Sequence, residues 1–129
     1  MIVVGASALV DLVTEHRNAV AVIEHLDQPL VTAGHQSAEV LSAIARLVRA
    51  GELSPEEGRQ ALLDAAEVEQ EVSLATVRHL HRALELQDRI RVVDGLYVAL
   101  AEQLGAALLT TDARLVGADP PCDVIFAGV

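Results

Sequence analysis

Apolar positions recur along the chain with two different periods, and their alternation predicts an α/β fold. Ile2–Val4 is a short unbroken apolar run ended by Gly5, the pattern of a buried strand. A helix is expected to start near Ser7. Ala19, Val22, Ile23 and Leu26 then repeat at the i, i+3, i+4, i+7 spacing of an amphipathic helix. Pro29 suits the first position of a strand over Leu30–Thr32. Val40, Leu41, Ile44, Leu47 and Val48 form another helical stripe, closed by Gly51. Ser54-Pro55-Glu56-Glu57 is a helix start: Ser54 caps, Pro55 suits the first helical position and Glu57 completes a capping box. That helix is expected to run to about Glu69.

Val72–Ala75 is a short strand candidate. Val77, Leu80 and Leu84 mark the next helix; Val93, Leu96, Leu100 and Leu104 mark another, stopped by Gly105. Ala107–Leu109 reads as a strand, Asp112–Val116 as a short helix, and Val124–Phe126 as a last strand after Pro120-Pro121. Short strands separated by helices pair in parallel through crossovers, with helices on both faces of the sheet. No linker, repeat or low-complexity stretch interrupts the pattern, so one domain is expected over residues 1–129.

Composition narrows this picture. Hydrophobic residues make up 52% of the chain, yet Tyr97 and Phe126 are the only aromatics, so the core is expected to be Ala, Val, Leu and Ile. No apolar run approaches the roughly 18 residues that span a bilayer. The opening Met1-Ile2-Val3-Val4 lacks a basic region and a cleavage-site pattern. The lone Cys122 cannot form an internal disulfide. A cytoplasmic protein with no membrane contact is therefore expected. The net charge is −10, and all nine basic residues are Arg. Such a field repels nucleic acid in general, so RNA would be handled only through bound cations or a local Arg patch. Arg78, Arg82, Arg89 and Arg91 are the best candidates for a patch, although Glu85 and Asp88 among them suggest a mixed solvated face.

The acids carry the candidate chemistry. In an open parallel sheet, ligands bind beyond the C-terminal ends of the strands, where the strand order reverses. Leu30–Thr32 exits toward the helix bearing Glu39, Ala107–Leu109 exits through Thr110-Thr111 onto Asp112, and Asp94 starts its own helix. Three like charges gather most readily around a hard cation such as Mg²⁺ or Mn²⁺. Acids at helix starts also cap and meet the helix dipole, so position alone leaves both readings open. Glu39 is the least cap-like, since it lies inside its helix and flanks the apolar stripe. His35 and Glu39 are four apart, a spacing zinc sites use, but no second ligand pair accompanies them, and a surface or capping His is expected. His79 and His81 flank Leu80 and point different ways on a helix.

Four segments resemble a known family. They are Ile2-Val3-Val4-Gly5-Ala6-Ser7-Ala8-Leu9, Ala38-Glu39-Val40, Val93-Asp94-Gly95-Leu96-Tyr97-Val98-Ala99-Leu100-Ala101-Glu102, and Leu108-Leu109-Thr110-Thr111-Asp112-Ala113-Arg114-Leu115. In this order and spacing the chain resembles PIN-domain ribonucleases of the VapC type, the toxins of bacterial VapBC toxin–antitoxin pairs. The resemblance implies a three-layer fold around a parallel sheet of order 3-2-1-4-5. It implies a Mg²⁺ or Mn²⁺ site at Glu39, Asp94 and Asp112, and hydrolysis of RNA phosphodiesters there. It also implies a cognate VapB-type antitoxin as partner and a homodimer. Ser7, Thr110 and Thr111 would support the site, although each also suits an ordinary helix or loop cap, and Arg114 would approach an RNA phosphate.

The first acid of the family motif is missing: Gly5 stands in its place. Glycine supplies no ligand, so weak metal binding and poor RNA cleavage are expected. Asp11, on the following helix, is a less favoured replacement. A rival reading keeps the fold but not the chemistry, as a silent module that binds antitoxin or RNA. A phosphoacceptor receiver domain is the other rival, but receivers use a Lys at a late strand end and this chain has none.

Overall fold

The computed structural model describes residues 1–128; Val129, the last position of the expected domain, lies outside the described residues. Five parallel strands form one sheet: β1 (Ile2–Val4), β2 (Leu30–Ala33), β3 (Glu71–Ser73), β4 (Ala107–Thr110) and β5 (Val124–Phe126). Their order is β3-β2-β1-β4-β5, as the resemblance implied. Val3 stands in register with Val31 on one side and Leu108 on the other. Every residue of β1 and β2 is buried, because helices cover both faces.

The period-2 alternation of a strand sorts the core into two layers. Ile2, Val4 and Leu109 point into a cluster with Leu9, Val22, Val40 and Ile44. Those residues come from α1 (Ala6–Val13), α2 (Ala19–Ile23) and α3 (Gln36–Arg49), and α4 (Pro55–Glu67) closes the layer with Ala61. Val3, Val31 and Leu108 point the other way, against Tyr97, Val98 and Leu100 of α6 (Val92–Leu104). α5 (Val77–Glu85) packs on α6, and α7 (Ala113–Gly117) leads into β5. Among the described residues no helix is long and apolar enough to cross a membrane.

Local signals placed most boundaries. The Ser54 capping box is present in full: the Glu57 N–H donates to Ser54 Oγ, and the Ser54 N–H donates to the Glu57 carboxylate. Gly105 ends α6 at φ +61, in the left-handed region where glycine is favoured. Two expectations need correction. α2 stops at Ile23, so the Ala19-to-Leu26 stripe does not continue as one helix, and Ile23 is left exposed. β3 is displaced to Glu71–Ser73, where pairing with Val31–Ala33 fixes its register.

α5 forms where Val77, Leu80 and Leu84 marked a helix. Its apolar stripe of Val77, Leu80 and Leu84 faces solvent, while His79 and Ala83 are buried. The reason is the close α5–α6 crossing: a Cβ at Gly95 would stand 3.1 Å from both Cα and Cβ of Ala83. Only small side chains fit where these helices touch. His79 is accommodated by caging its polar atoms, since Nδ1 accepts from the Thr76 N–H and Nε2 meets the Gln103 side chain.

Candidate active site

β1 and β4 lie side by side at the centre of the sheet, and their helices leave toward opposite faces. A cleft therefore opens at their C-terminal ends. It encloses about 350 Å³ and is lined by Gly5, Glu39, Asp94 and Asp112 together with Ser7 and Arg114. Thr110 and Thr111 also border it. The acids arrive from three helix starts in different layers: Glu39 in the first turn of α3, Asp94 in that of α6, and Asp112 as the N-cap of α7.

Asp112 is a cap in the ordinary sense, its Oδ1 accepting from the Arg114 N–H at 2.9 Å. The loop that carries it is tied to α1. Ser7 Oγ accepts from the Thr111 N–H at 3.1 Å and lies 3.1 Å from Thr110 Oγ1, which accepts from the Asp112 N–H at 3.0 Å. Ser7 is thus not a helix cap; Gly5 holds that position without a side-chain bond. The end of β1 is fixed too: Val4 O accepts from Thr32 Oγ1 and Gln36 Nε2, and the Gly5 N–H donates to Leu109 O at 3.0 Å.

Asp94 is paired with Arg91, Nε to Oδ2 at 3.1 Å and Nη2 to Oδ1 at 3.5 Å. Burial pushes the Asp94 carboxyl above its ordinary value; Arg91 opposes this, and the charges of Glu39 and Asp112 reinforce it. The three acids therefore share one electrostatic field. Glu39 Oε1 accepts from the Tyr97 hydroxyl at 2.8 Å and lies 3.3 Å from His35 Nε2. His35 holds the N-cap position of α3 without a side-chain cap bond, and its ring is used elsewhere: Nε2 donates to Val93 O at 2.7 Å, and the ring packs on Tyr97 at 4.5 Å between centroids. Tyr97 and Arg91 have no place in the sequence-level site; Tyr97 carried a signal, since it follows Asp94 by one helical turn.

The His35–Glu39 pair has a pH signature. The hydrogen bond to Glu39 holds His35 above its ordinary value of 6.5 against the opposing effect of burial. Burial pushes Glu39 up, but hydrogen bonds from His35 and Tyr97, with the charges of His35 and Arg91, outweigh it and leave Glu39 below 4.5. The raised His35 stabilises the fold fully below pH 6.5 and loses that effect as pH rises through its folded value. The lowered Glu39 stabilises above pH 4.5 and loses the effect as pH falls through its own. Both contributions coexist between these limits. Thermal melts of the wild type and His35→Gln should therefore differ most between pH 4.5 and 6.5. A difference that widens toward pH 8 would contradict this pairing.

The donor set suits a hard cation, being anionic and all oxygen, and the Arg91 guanidinium already supplies positive charge to it. Its present arrangement is open: among the described residues no three His, Cys, Asp or Glu side chains converge on one point. Each acid has a protein partner: Glu39 the Tyr97 hydroxyl, Asp94 the Arg91 guanidinium and Asp112 the Arg114 N–H. Asp11 also lines the cleft, its Oδ2 accepting from Asn18 Nδ2 at 2.9 Å. Within the Arg series, Arg82 pairs with Glu102 and Glu85, Arg89 bonds Ala118 O and Asp119 O, Arg91 holds Asp94, and Arg78 is exposed along the cleft between α5 and α6. A larger cleft of about 610 Å³ between α5 and α6 is lined by several of these already paired charges.

The PIN-domain family model matches residues 2–119. Ribonuclease VapC3 of Mycobacterium tuberculosis is 39% identical over 131 residues, spanning 96% of this chain and 91% of that protein. PAE2754 from Pyrobaculum aerophilum has a similar structure, with a TM-score of 0.72 at 22% identity over 95% of this chain and 81% of that one. A toxin–antitoxin complex from Klebsiella pneumoniae contains a chain that matches with a TM-score of 0.69 at 14% identity, each chain covered to 98%. With a sheet of the same order that the four sequence motifs implied, this chain belongs to the PIN-domain family, among its VapC ribonucleases.

Proposed function

We propose that this chain is the toxin of a type II toxin–antitoxin pair, a cytoplasmic Mg²⁺- or Mn²⁺-dependent endoribonuclease weakened by Gly5. The observation that carries this reading is the single cleft shared by Glu39, Asp94, Asp112 and Gly5 at the switch point of the sheet. Glu39, Asp94 and Asp112 would hold the cation, with the Gly5 corner lacking its ligand. When bound, the cation supplies a water acidic enough to ionise near neutral pH and offsets charge on the scissile phosphate. Ser7, Thr110 and the Thr111 N–H fix the loop that presents Asp112. Arg114, largely exposed beside Asp112, is placed to meet an RNA phosphate.

A VapB-type antitoxin is the expected partner, laying a helix or tail with apolar and basic residues across the acidic cleft. The outward Val77, Leu80 and Leu84 stripe supports a homodimer. The second reading, a silent module that binds antitoxin or RNA without cleavage, is favoured by Gly5 itself. Calorimetric titration of Mn²⁺ into the wild-type chain tests the weakened site. Weak binding is expected, and tight stoichiometric binding would show that the missing acid is not needed.

A further inference from the structure

We propose that His35 and Tyr97 form a two-point clamp that orients the Glu39 carboxylate, holding Oε1 so that Oε2 is left for a divalent cation. The proposal rests on the reading of the acidic cleft as a cation site and adds two positioning residues to it. The grip is reciprocal between layers. Tyr97 of α6 reaches across to Glu39 of α3, while His35, at the start of α3, reaches back to the backbone of α6 at Val93. Val93 immediately precedes Asp94, so the same contacts hold the two acid-bearing helix starts in fixed relation.

Three details make this more than chance proximity. Both neighbours of His35 Nε2, a carbonyl and a carboxylate, are acceptors, so that nitrogen must carry its hydrogen and act as a donor. Tyr97 donates to Oε1, His35 Nε2 lies 3.3 Å from the same oxygen while donating to Val93 O, and among the described residues none bonds Oε2. Tyr97 is 2% exposed in a core otherwise built from aliphatic residues. Burying a hydroxyl there costs free energy unless it is bonded, and its bond goes to Glu39. A free glutamate side chain samples several rotamers, and the fixed Tyr97 donor with the His35 ring beside it removes that freedom before a cation arrives.

The test compares the chain with Tyr97→Phe, His35→Leu and His35→Gln. ¹³C relaxation of the Glu39 methylene, recorded without metal, reports its order. Mn²⁺ affinity is read by electron paramagnetic resonance in the Gly5→Asp background. Tyr97→Phe and His35→Leu should loosen the Glu39 methylene and weaken Mn²⁺ binding by about 10–100-fold. His35→Gln, which keeps a donor at similar reach, should restore both. A Glu39 as well ordered in Tyr97→Phe as in the parent would overturn the clamp. If His35→Leu does not fold, the Tyr97→Phe result decides alone. If Gly5→Asp binds no Mn²⁺, the cation reading of the cleft fails, whereas the relaxation data still judge the clamp.

Discussion

Gly5→Asp is expected to raise RNA cleavage in Mg²⁺ or Mn²⁺ by about 10²–10³-fold, the scale on which one preorganised charged or polar group acts in an active site. The backbone is ready for the change: Gly5 has φ −75 and ψ 158, an extended conformation open to any residue. A Cβ there would stand 3.2 Å from Leu109 O, which asks for a shift of a few tenths of an ångström. The new carboxylate would add a fourth negative charge to a cleft already holding Glu39, Asp94 and Asp112. Without metal the variant should therefore melt lower than the wild type. With Mn²⁺ at about a hundred times its dissociation constant, linkage returns about 2.7 kcal/mol. Activity assays and melts with and without Mn²⁺ read both effects. No gain in cleavage across several RNA substrates would remove the lost-ligand explanation and favour the silent module.

Asp94→Asn, made in the Gly5→Asp chain, should abolish at least about 10²-fold of that cleavage while leaving the fold as stable or slightly more so. Stability and activity separate here because of the sign of the shift. The Asp94 carboxyl is raised, so at neutral pH its charge opposes folding, and the penalty is relieved as pH falls through its folded value. Asparagine keeps the shape without the charge. Arg91 loses its partner, but its side chain is 65% exposed and water replaces the contact at little cost. Steady-state cleavage and urea unfolding check the two halves. Cleavage retained within a few-fold would take Asp94 out of the site, and a large loss of stability would recast it as a structural residue.

Much of the fold was legible because its signals are local. Capping at Ser54, the glycine stop at Gly105 and the apolar runs of β1 and β4 each lie within a few residues and fix their elements regardless of what packs on them. The errors arose where a neighbour overrides the local pattern. The α5 stripe reads as a core face, yet the close approach of Gly95 to Ala83 turns it outward. α6 is buried well beyond the stripe of Val93, Leu96, Leu100 and Leu104, and Leu104 itself is partly exposed, because the helix lies between the sheet and α5. Ser7 reads equally well as a cap, and only the nearness of the β4–α7 loop gives its hydroxyl another use.

By itself the sequence determined the alternation of strands and helices, the placement of Glu39, Asp94 and Asp112 near helix starts, and the absence of an acid at Gly5. These follow from chemistry repeated within a turn or a strand. The tertiary structure alone decided that the three acids share one cleft, that each is already partnered, and that Tyr97 and His35 grip Glu39 and Val93 across 58 residues of chain. Such contacts depend on how two helical layers meet over the edge of a sheet, and no periodicity in one segment specifies the partner that another brings to it.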